Sequence, residues 1–465
     1  MIDKDKYDYL RRIAMLLGGI TVFKYFGKKA AGRIIKKWTR ILMTDEYNEN
    51  LLELVSAASR VTPQKILELN LRSETGEPVE RPLGSPKKVP SLDGLMFSFA
   101  QIETLPVPQH EDIDTTVIIG KKAQKPLVLE TPIMVGGMAY GFAVSERVRV
   151  AIAKGCSMAG TAANTGQGGL LPKERQAAKQ LILQYNRGHW SKDPETLRQA
   201  DAIELHFGQG AFGGSFEILP AKNISREMRN MYGVRKGERI LYPSRIPGIN
   251  KPRDLVNKVR ELRGITGGGI PIGAKIAGSD SLEKDLFWCL EAGLDFVTVS
   301  GSEGGSKGSP PTLQDDHGLP AIFGLCRAVN YLERSGARKE IDLITDGKLI
   351  TPGDFLKALA LGANAVYIGT AALYAVAHTQ VLKAFPFEPP TSVAWNVSQL
   401  SHRFNVKKGA DSLYNYLKSC TAEIRMSLSA MGKTAVHDLG KDDLIAIDPF
   451  IADITGVRLA HMPKS

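Results

Sequence analysis

From residue 132 onward the chain alternates short apolar runs with longer stretches whose apolar residues recur every three or four positions. Runs of strand length occupy 132–135, 157–162, 181–185, 202–207, 271–276, 296–300, 341–345 and 365–369. Between them lie helical patterns such as "SERVRVAIAKGCS", "SLEKDLFWCLEAG", "LPAIFGLCRAVNYLERSG" and "TPGDFLKALALG". Several runs are continuously apolar, as strands buried on both faces must be. Eight such runs joined by helical crossovers predict an α/β fold, a (β/α)8 TIM barrel over 126–380. A doubly wound sheet would compete, but no G-x-G-x-x-G follows the first run. Ahead of the barrel, 51–125 mixes a helical pattern with a Pro/Gly-rich segment at 76–90 and predicts an N-terminal wrap or subdomain. Behind it, 381–465 reads as a helical C-terminal extension.

Composition changes this picture little. With 43% hydrophobic residues in 465, the chain can bury a large core. Its 46 glycines sit in short clusters between apolar runs, which suits strand-to-loop turns rather than low complexity. Cys156, Cys289, Cys326 and Cys420 are far apart and form no CxxC pair. That spacing opposes a disulfide framework or a local metal site and predicts a cytoplasmic protein.

Charge has to be located before it means anything. The net charge is +11, but residues 1–40 hold eleven Lys/Arg against three Asp. Without this basic arm, taken as 1–50, the body is close to neutral, so nucleic acid is not an expected partner. The arm contains an apolar run at 13–23, shorter than the roughly 20 residues a membrane span needs. Its acidic start opposes a signal peptide. The following "FKYFGKKAAGRIIKKWTRILM" interleaves basic and apolar residues like an interfacial helix. Three readings stay open: membrane-surface contact at the inner face through residues 1–40, an arm packed on its own barrel or on a neighbour in a homo-oligomer, and a targeting segment.

The chemistry gathers where the barrel strands end. "VGGMAYG", "AANTGQGG", "HFGQGAFGG", "SGSEGGSKGSP", "TDGKL" and "GTAAL" are rich in glycine and small polar residues. Barrels bind ligands on this face, and often a phosphate at the loops after the seventh and eighth strands. Asp346-Gly347 and Gly369-Thr370 fall there, which predicts a phosphate-bearing ligand. Lys275, at the end of the fifth run, should point into the barrel mouth. Burying it demands an anion, either the cofactor or a barrel carboxylate such as Glu204.

"GGMAYGFAVSERVRVAIAKG", "GTAANTGQGG", "ADAIELHFGQGA", "GAKIAG", "VSGSEGGSKGSP", "TDGKLITPGD" and "YIGTAAL" also carry a resemblance. In order and spacing they resemble the FMN-binding domain of glutamate synthase, over roughly 132–375. The resemblance implies a barrel holding FMN, with the isoalloxazine ring on Gly137, Met138 and Ala139. Asn164, Thr165, Gln209 and Lys275 would surround its polar edge. Ser300 would join the cofactor site, and Gly304, Gly305, Asp346, Gly347, Gly369 and Thr370 would hold the phosphate. In the family, electrons pass through FMN to reduce 2-iminoglutarate, formed from 2-oxoglutarate and ammonia. Lys275, Gln167, His206 and Glu303 become the candidate catalytic residues, with Lys307 and Arg245 as further polar partners.

The sequence also departs from that family. The three cysteines that ligate its 3Fe-4S cluster have no counterpart in "YAVAHTQVLKAFPFEPP", where His378 replaces the first, so no Fe-S cluster is expected. The glutaminase half, with its N-terminal cysteine, is expected to be missing. Gln167 stands where the family's "NTGEGG" has an acid, and Phe212 where "QGAKPGEGG" has a lysine. The expectations are an FMN-dependent oxidoreductase that makes glutamate, the same chemistry on a less acidic small-molecule substrate, or a non-catalytic flavoprotein scaffold. An electron-donor protein is an expected partner of the first two.

Overall fold

The structure is a computed structural model that describes residues 26–48 and 50–464. Residues 1–25, including the apolar run 13–23, lie outside the described residues. Contacts divide the chain into a unit that ends at Val79 and a unit that begins at Glu80.

In the first unit the chain is helical over 26–44, Leu52–Val61 and Pro63–Thr75. On the first helix, Lys29, Arg33, Lys36, Lys37 and Arg40 recur at helical spacing along one side. Ile34, Ile35, Trp38, Ile41 and Leu42 fill the other. Ile34, Ile35 and Trp38 are exposed, and no apolar side chain of these three helices is buried. Thr62 breaks the second helix from the third. Its φ of 68° reverses the chain, its Oγ1 accepts from the Lys65 N–H, and Pro63 starts the next helix, where its missing N–H costs nothing.

The second unit is the barrel. Its parallel strands are β1 (Ile133–Val135), β2 (Ala163–Asn164), β3 (Leu181–Tyr185), β4 (Ala202–His206), β5 (Ile272–Ala277), β6 (Phe296–Ser300), β7 (Asp342–Asp346) and β8 (Ala365–Ile368). They pair in the order β1-β8-β7-β6-β5-β4-β3-β2, with Val366 opposite Ile133 joining last to first. The crossovers carry helices α1 (Glu146–Met158), α2 (Pro172–Ala177), α3 (Pro194–Leu197), α4 (Arg253–Thr266), α5 (Leu282–Glu291), α6 (Ala321–Arg334), α7 (Pro352–Ala360) and α8 (Thr370–Ala377).

Period-two alternation sorts the strand residues. Ile133, Val135, Leu183, Leu205, Val297 and Val366 pack outward against the helices. Met134, Ile182, Phe296, Ile344 and Tyr367 pack inward, together with Ile119, Leu127 and Leu129 of an antiparallel hairpin (Val117–Ile119 with Leu127–Leu129). The barrel therefore has an apolar floor. One pleat further along, the same inward face turns polar, with Gln184, Glu204, Lys275, Thr298 and Asp346.

The second strand differs from expectation. Residues 157 and 158 end α1, and the ladder is only Ala163–Asn164, opposite Leu181 and Ile182. The barrel-facing side of α1 (Val148, Ile152, Cys156) leads into the apolar run, the helix ends at Met158, and Gly160, at φ 65°, turns the chain inside the run. The expected C-terminal helix is α9 (Val406–Ala430), which packs along α1 and places the Thr421 hydroxyl 2.9 Å from that of Thr131. Beyond it, Leu444–Ala446 pairs antiparallel with Leu95–Phe97. An insertion between β4 and α4 was not foreseen as structure. It forms a hairpin (Glu217–Leu219 with Ile240–Tyr242) and a helix (Arg226–Tyr232) roofed by Phe142, Trp190, Tyr232 and Tyr242.

Candidate active site

A cleft of about 1210 Å³, counting its solvent-open mouth, lies at the C-terminal end of the strands. Of the residues expected at a cofactor site, Gly137, Met138, Ala139, Gln209, Lys275, Ser300, Gly304, Gly305, Asp346, Gly347, Gly369 and Thr370 all line it, and so does Gln167. Segments far apart in sequence meet here because each follows a barrel strand.

Lys275 is only 5% exposed and carries its charge among acids. Its Nζ donates to Asp346 Oδ2 and lies 5.4 Å from the centre of the Tyr367 ring. Burial works against that charge, but the Asp346 and Glu204 carboxylates outweigh it and raise the pKa above the ordinary lysine value. The partner is thus Asp346, not Glu204. Glu204 is fully buried and accepts instead from Asn164 Nδ2 at 2.9 Å, Gln184 Nε2 at 2.9 Å and Thr298 Oγ1 at 3.1 Å. Asp346 also accepts from the Ser300 hydroxyl. The Asp346 side chain thus serves the lysine's ion pair, which leaves only its backbone to face a phosphate.

The phosphate end has other donors. Helix α8 starts at Thr370 with no side-chain cap, leaving its first N–H groups without intrahelical acceptors. A Cβ added at Gly369 meets no protein atom within 4 Å. Packing does not require glycine there, and the open space beside the backbone leaves room for a ligand. Lys348, missed in the sequence, lines the same region and holds a left-handed φ of 58°, a strain typical of ligand loops. The cleft, the uncapped helix and the added lysine suit a phosphate-bearing ring cofactor.

At the opposite end the segment 166–168 supports the glycine seat. A Cβ on Gly166 would sit 2.8 Å from the Met138 backbone, so only glycine allows this approach. Asn164 and Thr165 lie beneath rather than in the cleft. Asn164 Oδ1 accepts the Gly166 N–H at 2.9 Å, and Thr165 Oγ1 accepts the Gln184 N–H at 2.9 Å. Gln167 Nε2 donates to Glu217 Oε2 at 2.7 Å, and Glu217 also lines the cleft. Burial pushes the Glu217 carboxyl up to about 7, against the pull of Gln167 and Lys307. Only its place in a hairpin insertion could have flagged it.

Two expected catalytic residues do not line the cleft. Glu303 Oε2 accepts the Ala321 N–H at 2.9 Å, so it caps α6. His206 is buried with Nδ1 3.1 Å from the Tyr242 hydroxyl, and Nε2 has no partner. Burial, Arg187 and Lys275 together hold its pKa well below the ordinary histidine value, so the ring is neutral. Arg187 is itself fully buried between Phe212 and Tyr242, 5.4 and 4.6 Å from the ring centres. Lys307 lines the cleft, with Nζ 3.5 Å from Glu80 Oε2. Arg245 does not line it. Among the described residues no group of three or more His, Cys, Asp or Glu could hold a metal ion.

Fold and cleft define a (β/α)8-barrel protein with an open cleft at its C-terminal mouth. A crystal structure of a chimeric (S)-mandelate dehydrogenase shares this fold, with a TM-score of 0.50 and 16% identity over 76% of this chain and 88% of that one. At the sequence level, a glutamate synthase large subunit-like protein of Rhizobium meliloti is 32% identical, over 85% of this chain and 93% of its own. An archaeal glutamate synthase [NADPH] of Archaeoglobus fulgidus is 29% identical, over 90% and 83%. The model of the conserved region in glutamate synthase matches residues 90–434, and the chain belongs to that family.

Proposed function

We propose that this protein is an FMN-dependent oxidoreductase that reduces an imino or oxo acid, with glutamate formation from 2-oxoglutarate and ammonia as its named version. The observation that carries the reading is Lys275, kept charged by Asp346 between the glycine seat and the uncapped end of α8. Gly137, Met138 and Ala139 would seat the ring, and Gly369, Thr370 and Lys348 would hold the phosphate. Bound FMN supplies hydride-transfer chemistry. Lys275 would stabilise negative charge beside it, and Phe142, Phe212 and Trp395, which line the cleft, would limit access of water. A donor protein would deliver the electrons.

A less acidic substrate is the second reading. It is favoured by Phe212, whose apolar ring lines the cleft where a dicarboxylate calls for a cation. Reconstitution with FMN tests the first claim, since a colourless chain that refuses FMN would end it. Reoxidation of the reduced protein by 2-oxoglutarate plus ammonium, against neutral and monocarboxylic oxo acids, separates the two substrates.

For the arm we propose contact with an anionic membrane surface through the helix over 26–44, whose apolar side is exposed beside a basic one. No helix among the described residues is long and apolar enough to cross a membrane.

A further inference from the structure

We infer that Glu217 is the proton-donating residue of the cleft and that Gln167 positions it for a substrate carrying a C=N or C=O group. The inference deepens the oxidoreductase reading and rests on it.

Three contacts place the carboxyl. Gly166 abuts the backbone of Met138 and Ala139, where the ring would be seated. Gln167 follows directly, and its Nε2 donates to Glu217 Oε2 at 2.7 Å. Glu217 reaches this point from a hairpin paired in register, Glu217 opposite Tyr242, so a fixed element and not a free loop delivers it. The other oxygen, Oε1, would lie 2.8 Å from a Cβ built on Gly308, which leaves that flank to backbone.

The charged groups that face Glu217 are Lys307, Glu80 and Arg187. Lys307 is paired with Glu80 and Arg187 is stacked on Phe212, so among the described residues neither cation closes an ion pair on Glu217. A carboxyl held by a neutral amide in a half-enclosed cleft retains a proton close to neutrality, which is what a donor there needs.

The step balances simply. Reduced FMN, when bound, would supply the hydride (two electrons and a proton) that the substrate carbon takes up. Its nitrogen or oxygen takes the Glu217 proton as the C=N or C=O π bond breaks. The resulting carboxylate accepts from Gln167 and regains a proton from water.

The test uses the full chain loaded with FMN. The flavin absorption of the native protein, followed from pH 5.5 to 9, should titrate with a midpoint near 7. E217Q should show no such titration, whereas E217D should show one displaced along the pH axis. Q167A keeps the acid but removes the hydrogen bond that favours its ionised form, so its midpoint should rise. Reoxidation of reduced E217Q by 2-oxoglutarate plus ammonium should be about 100-fold slower than that of the native protein. An unchanged titration in E217Q, with FMN bound, would overturn the role of Glu217 and leave the flavin reading standing. A chain that binds no FMN would overturn both.

Discussion

Replacing Lys275 by methionine tests how the barrel mouth tolerates its buried charges. Methionine keeps the unbranched stem and most of the volume, so little packing is lost. What disappears is the ammonium that compensates Asp346 directly and Glu204 at longer range. Breaking a buried pair by removing one partner costs about 3–5 kcal/mol. The lower end applies here, because Asp346 keeps the Ser300 hydroxyl and Glu204 keeps three neutral donors. K275M should therefore lose about 3 kcal/mol in urea denaturation of the FMN-free protein, and D346N somewhat less. The double variant K275M/D346N should recover about 2 kcal/mol relative to the sum of the singles, since no charge is then stranded beside another. In the FMN-loaded protein K275M should also become harder to reduce, while the double variant regains stability but not ease of reduction. Additive losses in the cycle, or a K275M protein as stable as the native one, would refute the claim that Lys275 compensates these carboxylates.

Glu217 should leave a mark on stability as well. Folding raises its pKa from 4.5 to about 7, so the folded chain holds that proton more tightly and stability falls as pH rises through that window. E217Q should remove this decline, gaining on the order of 2–3 kcal/mol at pH 8 relative to pH 4.5, and parallel denaturation profiles would refute it. G369V should weaken FMN binding at least about tenfold, because the side chain occupies the open space beside the uncapped helix, and unchanged binding would refute it. R149M strands Glu174, a partner 2% exposed at its side chain, and should cost about 3–5 kcal/mol of stability. The protein should co-sediment with vesicles containing anionic lipid and be released by salt, and substituting Lys36, Lys37 and Arg40 by glutamate should abolish this. Equal retention on neutral vesicles would refute the electrostatic part.

The barrel was legible because parallel strands buried on both faces leave continuous apolar runs, and seven of the eight fell within a residue or two of their place. The run at 157–162 misled because an apolar helix end and an apolar strand look alike over six residues. Most cofactor-facing residues were legible too, since glycine clusters at strand ends mark loops that a ligand approaches closely. Lys275 was found, but its partner was not, because which carboxylate a buried lysine meets depends on strand register across the barrel. Glu303 looked catalytic among its glycines and is a helix cap. Glu217 stayed hidden in an insertion whose hairpin reads locally as a polar loop. Its proximity to Gln167 spans fifty residues of chain, and no local pattern encodes it.

The short second strand has a mechanical consequence. Between β1 and β2 the barrel wall has no strand ladder, and is stitched by the Val135 N–H on the Ala162 carbonyl at 3.3 Å and by the Thr161 hydroxyl on the Ile133 carbonyl at 2.7 Å. The loops on either side of this seam are 136–139 and 165–168, the two that abut at Gly166. The one seam without a ladder thus lies under one wall of the cleft, while the lysine stands on laddered strands. Amide exchange at Val135, whose bond crosses this seam, should be slowed by a ligand that wedges the two loops together.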